Sequence, residues 1–170
     1  MKEKCKLTTG DGAHTSTIGC RAHASTTGEW AHALTAGYRA HASTTGEWAN
    51  ASTTGEWANA STTGEWAHAS TTGYKAYAST MGKRAHALTA EYKAYASTMG
   101  ENSISCALGV ESRCKAVKGF IVIVDWRYKD EWFIEKVYSA KVGDKIKGVV
   151  IKPDTWYWFE NGKLMEEKVV

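Results

Sequence analysis

The residues Ala49-Asn50-Ala51-Ser52-Thr53-Thr54-Gly55-Glu56-Trp57 are followed without a break by the same nine residue types, Ala58-Asn59-Ala60-Ser61-Thr62-Thr63-Gly64-Glu65-Trp66. Variants of this unit extend in both directions, so that residues 4–120 divide into thirteen consecutive nine-residue units without insertions. A short fixed period is typical of repeat proteins in which each unit packs only against its neighbours. This array therefore decides the fold of the chain.

Small residues alternate within each unit. Position one is Ala in ten of the thirteen units, position three is Ala in nine and position five is Thr in eleven. Residues at i, i+2 and i+4 share one side of a β-strand, so this pattern predicts a strand with a thin core on its inner side. Position seven is Gly in eleven units, which favours a corner with positive φ. A helix is disfavoured because Gly and β-branched Thr pairs recur throughout.

Two units are enough to close a coil around such a core, whereas nine residues are too few. We therefore predict an all-β fold, a parallel β-solenoid or β-roll of about 18 residues per turn. Three units per triangular turn is the alternative. With two units per turn, about six and a half turns would stack into a rod roughly 30 Å long.

Folding the sequence at a period of 18 separates positions eight and nine onto two edges. One edge carries Trp30, Trp48 and Trp66, each preceded by Glu, as candidate self-association residues. The opposite edge interleaves aromatic rings with cations, a composition that suits anionic ligands. Its candidate ligand-binding residues are Arg21, Tyr38, Arg39, Tyr74, Lys75, Tyr92 and Lys93.

Position two is often His, which raises the question of a metal site. Histidines stacked one strand apart form a row rather than a closed coordination shell, and no Asp or Cys is placed to complete one. We therefore favour stacking of like residues and predict neither a metal nor another cofactor. No nucleophile, phosphate-binding or paired-carboxylate motif is present, and the expectation is that the protein is not an enzyme.

Composition limits which partners and which cellular location the chain is expected to have. The formal net charge of +3 is too small to indicate a nucleic-acid or membrane partner unless the charges are clustered. No apolar run is long enough for a membrane helix, and no export signal is evident, so we expect a cytoplasmic protein without a membrane partner. Cys5, Cys20, Cys106 and Cys114 lack metal-site spacing and are expected to be free thiols, with a Cys5–Cys20 disulfide in a secreted fibre as the alternative.

The pattern changes after Phe120. The apolar run Phe120–Trp126 predicts a buried strand, and further strands are predicted at residues 132–141, 147–151, 155–159 and 164–170, separated by turn signals. We divide the chain into a nonapeptide-repeat β-solenoid at residues 1–118 and a small antiparallel β-domain at residues 119–170. A compact β-domain here would cap an otherwise open solenoid end.

The array resembles the S-T-A-A-T-S-G nonapeptide repeats of bacteriophage and gut-bacterial proteins. The tail, with Asp144-Lys145, the stretch 151–157 and Asn161-Gly162-Lys163, is similar to the small domain that ends those proteins. The resemblance implies a phage or prophage setting, the cytoplasm of the host cell, and a role such as sequestering a host factor. A weaker resemblance, to the S-V-A-I-G head repeats of trimeric bacterial adhesins, implies a trimer.

These observations lead to two main hypotheses. The first is a non-enzymatic binding protein whose basic and aromatic edge engages an anionic ligand, such as a nucleic acid or nucleotide, or a host protein. The second is a structural rod or spacer that forms a homo-oligomer, with the C-terminal domain as cap or oligomerisation module. Ice binding by outward Thr rows is a minor alternative, because position six varies through Thr27, Ala36 and Met81.

Overall fold

The structure is a computed structural model that describes residues 5–168. Over this range the chain forms strands and no helix. The strands of the repeat array are β1 (Cys5–Thr9), β2 (His14–Ile18), β3 (His23–Thr27), β4 (His32–Ala36), β5 (His41–Thr45), β6 (Asn50–Thr54), β7 (Asn59–Thr63), β8 (His68–Thr72), β9 (Tyr77–Thr80), β10 (His86–Thr89) and β11 (Tyr95–Ala107). The C-terminal strands are β12 (Arg113–Tyr128), β13 (Trp132–Lys141), β14 (Lys145–Ile146), β15 (Val149–Val150), β16 (Thr155–Glu160) and β17 (Lys163–Lys168).

Strand pairing follows a period of 18 residues. His23 of β3 pairs with His41 of β5, and His32 of β4 pairs with Asn50 of β6, both in parallel. Odd-numbered strands therefore stack on one side and even-numbered strands on the other, with the long β11 joining the two series. The predicted β-solenoid with two units per turn is confirmed, and the three-unit alternative is wrong. We call the outward side of β1, β3, β5, β7 and β9 face 1, and that of β2, β4, β6, β8 and β10 face 2.

The core of the solenoid is built from the three inward positions. Ala49, Ala51 and Thr53 are each at most 1% exposed, and the equivalent residues of the other central units are buried in the same way. Because these side chains are small, the two stacks of strands approach closely. The thin core predicted from the Ala and Thr alternation is confirmed. The hydroxyls of the position-five threonines have no hydrogen-bond partner among the described residues.

The glycine at position seven lets successive corners touch. Gly46 has φ 146°, and a Cβ added there would collide with the carbonyl oxygen of Gly28 in the preceding turn. Position nine also has positive φ, which the sequence pattern did not indicate. Trp48, for example, has φ 58°, in the left-handed region that residues with a Cβ normally avoid. Each corner thus holds one residue, usually Trp, Arg or Lys, in a disfavoured backbone conformation.

The C-terminal strands continue the solenoid. β12 first runs parallel to β11 and then pairs with β13 in antiparallel orientation. The β16–β17 hairpin joins β12 through Cys114 and Tyr157. Its Trp156 contacts Tyr77 of face 1 and Tyr95 of the adjacent β11 edge-on. Residues 118 and 119, where the two domains were divided, both lie within β12. The hairpin therefore covers the end of face 1.

The tail strands agree in part with their predicted bounds. Trp132–Lys141 is a strand as expected, and the predicted strand at 155–159 extends to Glu160. The stretch 147–151 is not one strand, because Lys147 and Gly148 form a turn with φ 48° and 84° between β14 and β15. β17 is described to Lys168, so the last two residues of the strand predicted at 164–170 lie outside the described range.

Candidate binding edges

The first candidate edge carries the stacked tryptophans. Its corners are tied together by backbone bonds, in which the N–H of Trp30 donates to the carbonyl of Glu47 at 2.9 Å and that of Trp48 to Glu65 at 3.0 Å. Since the corners repeat at the strand spacing, their side chains stack. The ring centroids of Trp30 and Trp48 are 5.1 Å apart and those of Trp48 and Trp66 are 5.0 Å apart, with nearly parallel planes. We call this surface the Trp edge.

The Trp edge also contains Arg84, which the sequence analysis did not single out. The guanidinium of Arg84 lies 5.1 Å from the ring centroid of Trp66 and covers the end of the stack. Its place at position nine of the next turn could have revealed this contact. The carboxylates of Glu29, Glu47 and Glu65 form no ion pair with any described residue. Over these three turns the edge is therefore aromatic and acidic.

The opposite corners bring the predicted ligand-binding residues together. Arg39 lies over the ring of Tyr38 at 5.1 Å, and the ammonium of Lys75 lies 4.7 Å from the ring of Trp57 and 5.2 Å from that of Tyr74. Cations prefer such positions over aromatic faces because of the ring quadrupole. We call this surface the basic edge and define it by Arg21, Tyr38, Arg39, Trp57, Tyr74, Lys75, Tyr92 and Lys93.

Lys93 differs from the other cations of the basic edge. Its ammonium lies 3.3 Å from Oε2 of Glu111, and the hydroxyl of Tyr92 donates a hydrogen bond to Oε1 of the same carboxylate at 3.2 Å. Hydrogen bonds to Tyr92 and Glu111 raise the pKa of Lys93. In contrast, Arg21, Arg39 and Lys75 have no carboxylate partner among residues 5–168. The predicted set therefore divides into three available cations and one that is paired.

Three of the four aromatic rings of the basic edge, those of Trp57, Tyr74 and Tyr92, pack on one another. Tyr74 and Tyr92 stack at 5.9 Å, and Trp57 meets Tyr74 edge-on at 6.4 Å. Lys75 and Lys93 lie over further ring surface. These rings orient the cations, and little open face remains between the turns of Trp57, Tyr74 and Tyr92. The ring of Tyr38 contacts only Arg39 in this way and is 43% exposed.

Histidine rows follow position two on both faces. The rings of His14 and His32 stack at 4.6 Å, and those of His68 and His86 stack at 4.9 Å. Burial lowers the pKa of His68 and of His32, and the neighbouring imidazole in each pair lowers it further. The stacking of like residues is confirmed. Within the described chain no three His, Cys, Asp or Glu residues are arranged to hold a metal ion.

Two surface depressions lie away from both edges. One of about 480 Å³ is lined by His14, His32 and Leu34 on face 2, and one of about 440 Å³ lies beside Lys152 and Glu166 in the C-terminal region. Both are shallow. The four cysteines are free thiols, and burial raises the pKa of Cys106 and Cys114, which makes these two poor nucleophiles.

The chain matches no protein-family model, no curated protein and no solved structure. The resemblance to nonapeptide-repeat proteins is supported at the level of the repeat β-solenoid, and the phage origin stays a prediction. Over the described range there is no helix with the length and apolar character needed to cross a membrane.

Proposed function

We propose that the protein is a non-enzymatic β-solenoid binding protein that engages a linear anionic ligand through its basic edge. One observation carries the proposal: Arg21, Arg39 and Lys75 lie at equivalent corners of a single edge, and none of them has a carboxylate partner among the described residues. A straight row of cations raises the local concentration of an anionic polymer and can contact several of its charges at once.

The contacts are expected to be ionic rather than base-specific. The aromatic rings of the edge already pack on each other and on their own cations, so they hold Arg39 and Lys75 in place and offer few open faces. A ligand recognised in this way needs regularly spaced negative charge, and single-stranded nucleic acid meets that requirement. Binding should depend little on nucleotide sequence and strongly on salt.

Native mass spectrometry with a short single-stranded DNA tests this proposal. The wild-type chain is expected to form a one-to-one complex at low salt. The triple variant Arg21→Gln, Arg39→Gln and Lys75→Gln should lose affinity by about 10-fold or more, because each of these cations neutralises a phosphate. The control variant Lys83→Gln, Lys129→Gln and Lys163→Gln carries the same change of net charge on exposed residues elsewhere. Equal binding by both triple variants would count against the basic edge.

A structural role is the second candidate, supported by the match between the two edges. The Trp edge presents Glu29, Glu47 and Glu65 in successive turns. The basic edge presents Arg21 and Arg39 in successive turns and Lys75 two turns beyond Arg39. Copies of the rod could therefore associate side by side, with the Trp edge of one against the basic edge of the next. Such a contact joins two different surfaces, and it gives open assemblies when the rotation between neighbouring copies does not close a ring.

Light scattering coupled to size-exclusion chromatography distinguishes this candidate. If the Trp edge is the seam, Trp30→Ser, Trp48→Ser and Trp66→Ser together should convert an oligomer into a monomer. Tyr128→Ser with Trp132→Ser removes two other exposed aromatic rings, from the β12–β13 hairpin, and is the control. An unchanged mass in the first variant would exclude the Trp edge as the seam.

The remaining expectations stay predictions. A host-protein partner, a role in phage infection and a cytoplasmic location come from the resemblance of the repeats. A trimer comes from the adhesin resemblance. Ice binding finds limited support on face 1, where Thr27, Thr45 and Thr63 are exposed in successive turns before Met81 and Met99 interrupt the row.

A further inference from the structure

The two ends of the tryptophan stack differ. At one end the guanidinium of Arg84 covers the ring of Trp66. At the other end the residue one turn before Trp30 is Gly12, which has no side chain, and a Cβ added to Gly12 would meet no atom within 4 Å. The face of Trp30 directed toward this turn is therefore open within residues 5–168.

The exposure of the rings agrees with this arrangement. Trp30 is 54% exposed, whereas Trp48, which is covered on both sides, is 36% exposed. An indole face is the aromatic surface to which cations bind best. The same stack already shows this interaction at its other end, where Arg84 is the cation.

Two carboxylates lie beside the open ring. The side chain of Asp11 accepts a hydrogen bond from the backbone N–H of Glu29 at 3.2 Å, which holds this carboxylate next to the corner that bears Trp30. Neither Asp11 nor Glu29 forms an ion pair with a described residue. Lys83 is the cation at the corner position equivalent to Glu29, three turns away, or about 14 Å at the strand spacing. This distance exceeds the screening length of about 10 Å at 0.1 M salt, so Lys83 does not neutralise Glu29.

We infer that the open face of Trp30, together with Asp11 and Glu29, binds a guanidinium group of the arginine type. The planar cation lies on the indole as Arg84 does on Trp66, and its N–H groups donate to the two carboxylates. The site is exposed, so its dissociation constant for a small guanidinium compound is on the order of millimolar. The group can belong to a free guanidino compound or to an Arg side chain of another protein. The inference is independent of ligand binding at the basic edge.

Nuclear magnetic resonance of the indole N–H groups tests the site directly. The chain has eight Trp residues, and the variant Trp30→Phe identifies the resonance of Trp30. Ethylguanidinium should shift that resonance saturably, and ethylurea, which is planar but uncharged, should not. A capped tripeptide with a central Arg tests whether the ligand is an Arg side chain of another protein. If the tripeptide binds more tightly than ethylguanidinium, the site favours a guanidinium group carried by a protein. Equal shifts with ethylurea would overturn the inference.

A substitution at Gly12 provides an independent test. Gly12→Arg supplies the guanidinium within the chain, and the fold accepts Arg in this conformation, since Arg84 occupies the equivalent corner position with φ 55°. Because the attached group competes at high effective concentration, the response of Trp30 to ethylguanidinium should fall by about 10-fold. Gly12→Asn is the matched control, because Asn102 has φ 55° at the same position. A Gly12→Arg protein that folds and still responds like wild type would contradict the inference.

Discussion

The indole ring of Trp48 stacks on that of Trp66 with their centroids 5.0 Å apart and an interplanar angle of 0°, although the two residues are separated by a complete turn of the solenoid. Both have left-handed backbones, with φ 58° and 57°. This conformation is unfavourable for residues with a Cβ by roughly 1–2 kcal/mol. Contacts between successive turns must therefore offset a local cost at every corner.

The balance between stacking and backbone strain can be measured at Trp48. Trp48→Asn removes two ring contacts and keeps a residue that tolerates left-handed φ, so it should lower the free energy of unfolding by about 1–2 kcal/mol. Trp48→Ala should cost about 1 kcal/mol more, because Ala lacks this tolerance. Urea denaturation of both variants tests the difference. Equal stabilities would show that the backbone at this corner is not strained.

The buried hydroxyls of the core lead to a second prediction. Thr53 is 1% exposed, and its hydroxyl has no hydrogen-bond partner among the described residues. Thr53→Val keeps the branched shape and removes an unpaired polar group, so the free energy of unfolding should rise by about 1 kcal/mol. Thr54→Val on the outer surface is the control and should have little effect. Destabilisation by Thr53→Val would mean that the hydroxyl is hydrogen-bonded.

The glycine corners allow a third prediction. In Gly46→Ala the new methyl group would overlap the carbonyl oxygen of Gly28, and φ 146° is also unfavourable for Ala. Thermal unfolding should show a loss of about 2–3 kcal/mol or more. Gly143→Ala has a positive φ but no atom near the added carbon, and it should cost less. If the two substitutions are equally costly, the close approach of the turns contributes nothing.

The histidine rows predict a dependence of stability on pH. Burial lowers the pKa of His32, His68 and His86 below the unfolded value of about 6.5. The unfolded chain therefore binds more protons between the two pKa values. The contribution of these residues to stability is present above pH 6.5 and is lost as the pH falls through the folded pKa values. Melting temperatures at a series of pH values measure this loss.

A matched variant isolates the histidines from other titrating groups. Asn50 occupies the same row between His32 and His68, so the fold accepts Asn at this position. His32→Asn, His68→Asn and His86→Asn together should flatten the melting-temperature profile between about pH 5 and 7. A profile as steep as that of wild type would assign the dependence to the carboxylates instead.

Much of the fold was accessible from the sequence because the repeat fixes the pairing. Once residues 18 apart, such as Trp48 and Trp66, are assigned to equivalent corners of successive turns, the residues of both edges can be read from the sequence. The left-handed backbone at Trp30 and Arg39 was missed, since aromatic and cationic residues are uncommon in that conformation. The prediction relied on Gly alone as the indicator of positive φ.

The candidate sites were predictable only where the repeat is regular. Glu111 lies at position nine of a transition unit and neutralises Lys93, a contact that the regular units do not contain. The contacts of Trp156 with Tyr77 and Tyr95 join the tail to the array, and no internal period specifies their register. The contact of Arg84 with the ring of Trp66 could have been predicted from the sequence, because both residues occupy position nine of units that are one turn apart.

The salt dependence of binding to single-stranded DNA tests the central claim most directly. Fluorescence anisotropy gives the association constant over a series of salt concentrations. If Arg21, Arg39 and Lys75 each neutralise one phosphate, the logarithm of this constant should fall with the logarithm of salt concentration with a slope of about −2. Arg39→Gln should make the slope shallower by about 0.7. A slope near zero, or an Arg39→Gln slope equal to that of wild type, would contradict ligand binding through the basic edge.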